Sequence, residues 1–281
     1  MILISSINNI ISNNQDKNPL YLRNLIKEEL QNYILNFVYT SQKYNQLIFT
    51  GGTCLRKVYG INRLSEDLDF DYLNDFDISQ FTDNVKTYFK SKIQYPNIKT
   101  SIAGNQNTAF FKFPILKDLN QYSEGTPQDI FVRCDFSKEE RGNYTTDKNL
   151  INAANFQFFI NSYDLSTLFA NKFIAFLERS FYKGEQQKIP FKGRDIYDLY
   201  WITQLSSKSS YNIVINQDRL LALSKEKDID KIKNSFLQKL QLIEDKFLYD
   251  DLLPLLDSSS IIENFISSYK SYLSKYIDFV L

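Results

Sequence analysis

The stretch "FTGGTCLRKVYGINRLSEDLDFDY", residues 49–72, joins a glycine pair to a crowded run of acids. Gly51 and Gly52 close the short apolar run "LIFT", and Asp67, Asp69 and Asp71 then alternate with Leu68, Phe70 and Tyr72. Alternation is the strand period, so the three carboxylates share one sheet face and the apolar side chains the other. "LIFT" predicts a buried strand. From Thr53 the apolar residues Leu55, Val58 and Tyr59 take a helical pattern that Gly60 stops. The glycines thus lie between a strand and a helix N-terminus, where unpaired backbone N–H groups and the helix dipole converge to favour an anion.

Carboxylates two apart on a strand lie ~6–7 Å from each other. They repel by about 2–3 kcal/mol at an effective dielectric near 20, and a divalent cation reverses that sign. A solvated sheet face shows the same alternation, and a plain tight turn the same glycines. It is the combination, a Gly-Gly turn feeding a helix and then an acidic strand, that points to phosphate and metal.

Composition narrows the chemistry. The 281 residues contain no histidine, which excludes an imidazole general base, a Ser-His-Asp triad and His-ligated zinc. Cys54 and Cys134 offer neither a disulfide framework nor a metal-ligand spacing. Any metal is therefore a hard cation on oxygen ligands, Mg²⁺ first and Mn²⁺ second. The 33 basic and 33 acidic residues cancel, so no global charge excess draws the chain to a polyanion, although a local basic cleft is allowed. The N-terminus lacks a signal-peptide pattern and no apolar run is long enough to span a bilayer; no membrane association and a cytoplasmic location are expected.

Along the chain, Leu20, Leu25, Leu30, Ile34 and Val38 recur at helical period, predicting a helix or helix pair over 19–46. A helical stretch follows the acidic strand to about Lys92. Strands are predicted at "TAFFKFPIL" (108–116) and "DIFVRCDF" (129–136). In the second, Ile130, Val132, Cys134 and Phe136 form the apolar face and leave Arg133 and Asp135 on the other, so Asp135 is a third candidate carboxylate. After the N-cap Asp164, "LSTLFANKFIAFLERSF" is an amphipathic helix on which Lys172 and Arg179 share a face. "YKGEQQKIPFKG" is expected as a basic loop, "RDIYDLYWITQL" as a helix with Asp195 and Asp198 on one stripe, and "SSKSS" (206–210) as a linker. Residues 217–248 and 258–280 are helical. The fold class is α+β, with an α+β domain over 1–160 and a helical domain over 161–281.

These blocks resemble the AbiE-type (AbiEii/AbiGii) nucleotidyltransferase toxins of the DNA polymerase β-like nucleotidyltransferase superfamily. "GGTCLRKVYG-INRLSEDLDFD", then "LFANKFIAFLER", then "KGRDIYDLYW" follow that family's order over roughly residues 47–205. The resemblance implies a mixed sheet flanked by helices, with a C-terminal helical domain that supplies the lysine and Arg-Asp motifs. It implies that Gly51, Gly52 and Thr53 grip nucleotide phosphates, with Ser65 assisting. It makes Asp67 and Asp69 metal ligands, Lys172 the residue that neutralises triphosphate charge, and Asp195 the acid of the last motif. Arg63, Arg194 and Asp198 match the signature too, Arg63 and Arg194 as candidate nucleotide-binding residues; Asp135 fits the third metal carboxylate by strand context. Lys172 paired with Asp195 or Asp198 as a simple helix pin is the competing reading.

The implied activity is metal-dependent transfer of NMP from an NTP to an acceptor hydroxyl, with pyrophosphate released. The acceptor expected first is RNA, tRNA in particular, in a toxin–antitoxin or phage-defence setting, with a cognate antitoxin as possible partner. The alternatives are nucleotidylation of a protein or small molecule, or a catalytically silent module that binds nucleotide or a partner.

Overall fold

A computed structural model describes residues 2–119, 127–153, 155–183, 187–189, 191–208 and 213–280. The chain forms two compact units. The first takes Met1–Gly60, Leu64–Glu140 and Thr146–Ser162; the second takes Ile61–Arg63, Arg141–Thr145 and Tyr163–Leu281.

The first unit opens with α1 (Ile2–Asn13) and α2 (Pro19–Thr40), then β1 (Ile48–Thr50), α3 (Gly51–Val58), β2 (Asp67–Tyr72) and α4 (Ile78–Ser91). It continues through β3 (Lys99–Ile102), β4 (Thr108–Phe113), α5 (Ile115–Asp118), β5 (Ile130–Lys138), β6 (Thr146–Ala153) and β7 (Phe156–Tyr163). The strands make one mixed sheet in the order β3-β4-β5-β2-β1-β7-β6. β2 runs parallel to β5, and β1 to β7, whereas β1–β2, β3–β4 and β4–β5 are antiparallel. The expected α+β class with a mixed, helix-flanked sheet is what is observed.

Register at the centre of this sheet is set by aromatic burial. Phe70 stacks on Phe136 with ring centroids 5.6 Å apart, Phe136 on Phe76 at 4.5 Å, and Phe81 meets Phe136 edge-on at 4.9 Å. Leu68, Phe70, Cys134 and Phe136 are buried, while Asp67, Asp69 and Asp71 on the opposite face are half-buried. A one-residue slip would drive carboxylates into the aromatic cluster, so this pairing is strongly specified.

α2 starts where Asn18 accepts a bond from the Leu20 N–H and Pro19 takes the first helical position. Its Glu28 holds α3: the carboxylate lies 2.9 Å from Arg56 Nε and 3.3 Å from Lys57 Nζ. α2 also steadies the approach to β2. Gln31 is fully buried, and its Nε2 donates to the carbonyls of Ser65 and Glu66 at 3.1 and 3.0 Å.

The second unit holds α6 (Leu165–Glu178), a hairpin of β8 (Phe181–Lys183) and β9 (Gln187–Ile189), α7 (Gly193–Lys208), α8 (Gln217–Leu223), α9 (Ile229–Gln241), α10 (Asp245–Leu252) and α11 (Ser259–Val280). Asp164 caps α6 through the Thr167 N–H, as expected. Phe236 of α9 packs on Phe173 and Phe176 of α6. Arg219 of α8 is buried, bonds Asn171 and the Gly142 carbonyl, and lies over the rings of Tyr144 and Tyr163, so it gathers segment 141–145 into this unit.

Several expectations need correction. The stretch 182–193 is not a plain loop, because the β8–β9 pairings Tyr182↔Lys188 and Lys183↔Gln187 lie within it; residues 184–186 and 190 fall outside the described residues. Residues 206–208 of the expected linker continue α7, and 209–210 lie outside the described residues. The strand expected over 108–116 stops at Phe113, since Pro114 precedes the short helix α5. Helix α1 and strands β3, β6 and β7 were not anticipated.

Burial pushes the Glu28 carboxyl up, but Lys57 and Arg56 outweigh it and hold it below the usual glutamate range. A depressed carboxyl stabilises the fold above its unfolded value of about 4.3 and loses that contribution as pH falls through the folded value. Glu28→Gln should cost roughly 3 kcal/mol near neutrality, because Lys57, 11% exposed, loses its nearest carboxylate. In denaturant unfolding the gap between variant and wild type should close as pH drops below the ordinary glutamate range.

Candidate active site

The first unit places the phosphate-turn and carboxylate candidates together. Gly51 opens α3 with φ +77°, a conformation that suits glycine, and a Cβ built there would lie 2.0 Å from Asp69 Oδ2. The glycine is thus required twice, by its backbone angle and by the carboxylate pressed against it. Gly52 and Thr53 follow in the first turn, both buried, and the Thr53 hydroxyl donates to the Asp67 carbonyl. Thr50 gives α3 no side-chain cap and no acid stands in its first turn, whereas Arg56 and Lys57 end it. A helix so arranged favours negative oxygens at its start, and Asp69 already lies there.

Strand register assembles the acids. Asp69 pairs with Thr50 on β1 and with Asp135 on β5, and Asp67 pairs with Arg133. The thiol of Cys134, buried between them in the sheet, is pushed well up, first by burial and then by the charges of Asp135, Asp67 and Asp69. Asp135 accepts from the Thr108 hydroxyl at 2.6 Å and from Arg133 Nε at 3.0 Å, with its other oxygen 2.9 Å from Arg133. Among the described residues no group of three or more carboxylate or cysteine side chains is arranged to hold a metal ion. The set nonetheless suits Mg²⁺, which usually takes one or two carboxylates and fills its shell with phosphate oxygens and water. Asp67 and Asp69 would be the pair to hold it. Ser65 is buried on the approach to β2, and its carbonyl is held by Gln31.

The second unit collects the remaining candidates. Arg63, 1% exposed, grips Asp198 at both carboxylate oxygens, 2.6 and 2.7 Å, and Asp198 is fully buried. Lys172 Nζ lies 2.8 Å from Asp198 and 3.8 Å from Asp195. Arg179 reaches Asp195 at 2.8 Å. Burial raises the Asp198 carboxyl, but Arg63 and Lys172 overcome this and hold it below the usual aspartate range. Burial, reinforced by Arg194 and Arg179 against Asp195 and Asp251, lowers Lys192. Arg194 is half-buried, and its backbone N–H donates to Asp251 at 2.9 Å.

Lys172 and Asp195 therefore do meet, inside a buried charge cluster that Arg63 and Asp198 share. Supporting residues that sequence reasoning missed are Gln31 and Thr108. Gln31 lies on the buried side of a helix and Thr108 opens a strand whose register the sequence does not disclose. Neither carries a local signal.

A family model described as nucleotidyl transferase AbiEii toxin, type IV toxin–antitoxin system, matches residues 35–269. The chain belongs to this family and is a nucleotidyltransferase. In fold it is similar to the nucleotidyltransferase toxin MenT4 from Mycobacterium tuberculosis H37Rv, with TM-score 0.59 and 13% identity over 98% of this chain and 92% of that one. Matches of TM-score 0.41 and 0.43, each at 18% identity, are to JHP933 and to a nucleotidyltransferase structure from Helicobacter pylori; they cover 91% and 89% of this chain and 96% of each of theirs. No curated protein sequence matches significantly. No helix among the described residues is long and apolar enough to cross a membrane.

Two outcomes follow from this geometry. Gly51→Ala should displace Asp69 and cut nucleotidyl transfer by about 10²-fold, the usual cost of an ångström-scale misplacement; wild-type rates would contradict the crowding described. In the second unit, Asp198→Asn removes the carboxylate that Arg63 and Lys172 share and should cost about 3–5 kcal/mol. Lys172→Met leaves the Arg63–Asp198 pair intact and should cost about 1–2 kcal/mol. Chemical unfolding of both variants at neutral pH checks the order.

Proposed function

We propose that this nucleotidyltransferase moves NMP from an NTP to a hydroxyl of RNA, with tRNA the first acceptor to test, in a reaction that depends on Mg²⁺ or Mn²⁺. The observation that carries the reading is the close approach of Gly51 to Asp69, with Asp135 in register beside it. Backbone N–H groups of the Gly51–Thr53 turn bind phosphate oxygens, and Ser65 assists them. Asp67 and Asp69 would hold the metal, with Asp135 as a third carboxylate. When bound, the divalent ion neutralises phosphate charge and lowers the pKa of the attacking hydroxyl, which removes the need for histidine.

Asp135 is free to change partners at small cost. Arg133 is 46% exposed and Asp135 25%, and ion pairs so placed contribute roughly 0–1 kcal/mol. For Lys172, Asp195 and Arg194 the proposal rests on the matched motifs: Lys172 offsets negative charge on the leaving pyrophosphate, and Arg194 adds to nucleotide binding. Arg63 and Asp198 are positioning residues that orient Lys172. The biological setting proposed is a cytoplasmic toxin restrained by a cognate antitoxin, with phage defence as its use.

Purified protein incubated with each of the four labelled NTPs, tRNA and a lysate protein fraction should label tRNA, and chelation should abolish the signal. Label on protein or a small molecule would change the acceptor, and tight NTP binding without product would make this a silent module. Asp67→Ala and Asp69→Ala should each remove transfer by at least about 10³-fold while unfolding midpoints stay near wild type. Undiminished transfer in both variants would sink the proposal.

A further inference from the structure

The first unit carries a cleft of about 330 Å³, lined by Tyr39, Asn45, Gln46, Lys148, Phe159 and Asn161. Its volume falls at the lower end of small-ligand sites, roughly 300–1,000 Å³. The cleft lies away from the Gly51 turn. Asn45 and Gln46 precede β1 and Gly51 follows it, and β7 runs parallel to β1 with Phe49 opposite Ser162. Asn45, Gln46, Phe159 and Asn161 therefore gather toward the N-terminal end of β1, whereas the carboxylates and the glycines gather toward its C-terminal end.

The lining has a definite chemistry. Phe159 is 62% exposed on β7, although its neighbours Phe158 and Ile160 are buried in the sheet core. A large aromatic side chain left open on a sheet surface is a stacking platform for a flat ring. Around it stand three carboxamides, whose paired donor and acceptor atoms match the edges of a nucleobase, and one ammonium. Among the described residues no carboxylate lines the cleft, so a cationic ligand is disfavoured and an anionic one welcomed. The side chains of Asn45, Gln46 and Lys148 have no hydrogen-bond or ion-pair partner among the described residues. The floor is fixed, because the buried Tyr39 hydroxyl lies 3.1 Å from the carbonyls of both Leu47 and Asn161 and so ties the end of α2 to β7 and to the residue that precedes β1.

We propose that this cleft binds one nucleotide unit, with the base stacked on Phe159 and addressed by Asn45, Gln46 and Asn161, and the phosphate on Lys148. The nucleotide comes either from single-stranded RNA or from the free pool. The two sources share this chemistry and differ in what a titration detects.

The test uses the full chain without added metal, with two fluorescent probes: a six-nucleotide mixed-sequence single-stranded RNA and a nucleoside monophosphate. Phe159→Ala should weaken binding by about 5- to 150-fold, the range for loss of one base–aromatic stack. Lys148→Ala should weaken it further and flatten its salt dependence. Both side chains are exposed, so thermal unfolding should not change. Asp69→Ala, inert in transfer, should bind both probes as wild type does, which separates this site from the catalytic one. Variant-sensitive binding of the hexamer alone assigns the cleft to an RNA strand, and variant-sensitive binding of the monophosphate assigns it to a free nucleotide. If neither probe binds, or both substitutions leave affinity unchanged, the proposal is overturned.

Discussion

Asp69 and a side chain at Gly51 would claim the same space, and the first unit is built around granting it to the carboxylate. β1 and β2 run antiparallel with Thr50 opposite Asp69, so the turn leaving β1 passes directly beneath that residue. Asp135 comes alongside from β5. Left to themselves, these charges repel by a few kcal/mol. They stay crowded because the opposite face of the same two strands buries Leu68, Phe70, Cys134 and Phe136, and each large apolar side chain so buried contributes about 1.5–3 kcal/mol. Packing outweighs repulsion. The acids are held by the aromatic rings behind them, and the repulsion is available to be relieved by a cation.

The second unit solves the opposite problem, since the carboxylates at its charge cluster are buried. Asp198 is fully buried, and its two partners are nearly so. Such a cluster seldom adds stability over an apolar equivalent, because removing ions from water costs several kcal/mol each. Its effect is directional. Arg63 can satisfy both oxygens of Asp198 in only one geometry, which fixes residues 61–63 against α7. Lys172 then joins α6 to the same carboxylate.

What the sequence discloses follows from how local each signal is. The alternation Asp67–Tyr72, the Gly51–Gly52 break and the Asp164 cap are read from neighbours in the chain, and each element stands where the sequence puts it. The apolar face of β5 was legible for the same reason. Strands β6 and β7 were not, because "TDKNLINA" and "FQFFINSY" expose Leu150 and Phe159 and so blur the period-two pattern. The hairpin of β8 and β9 has three-residue strands, too short to show alternation at all. At the candidate site, the identity of the acids was readable but their partners were not. Thr108 on Asp135, Gln31 on the Ser65 and Glu66 carbonyls, and Arg63 on Asp198 are pairings across 27, 34, 35 and 135 residues of chain. No local pattern encodes them.

Exposure separates the two sets of ion pairs by what they can exchange. The Arg133–Asp135 pair is open to solvent and weak, so Asp135 can trade its guanidinium for another cation with little loss. Asp198 has no such freedom. Within the second cluster, Arg63 already balances Asp198 and Arg179 balances Asp195, so the charge on Lys172 is surplus among these five side chains. A lysine serving only to pin α6 to α7 would not need that surplus, because one neutral pair per helix contact suffices. A surplus ammonium kept 12% exposed beside two carboxylates that are already satisfied is suited to offsetting negative charge on a ligand. The same geometry that fixes Asp198 between two cations therefore leaves the Lys172 charge only partly balanced.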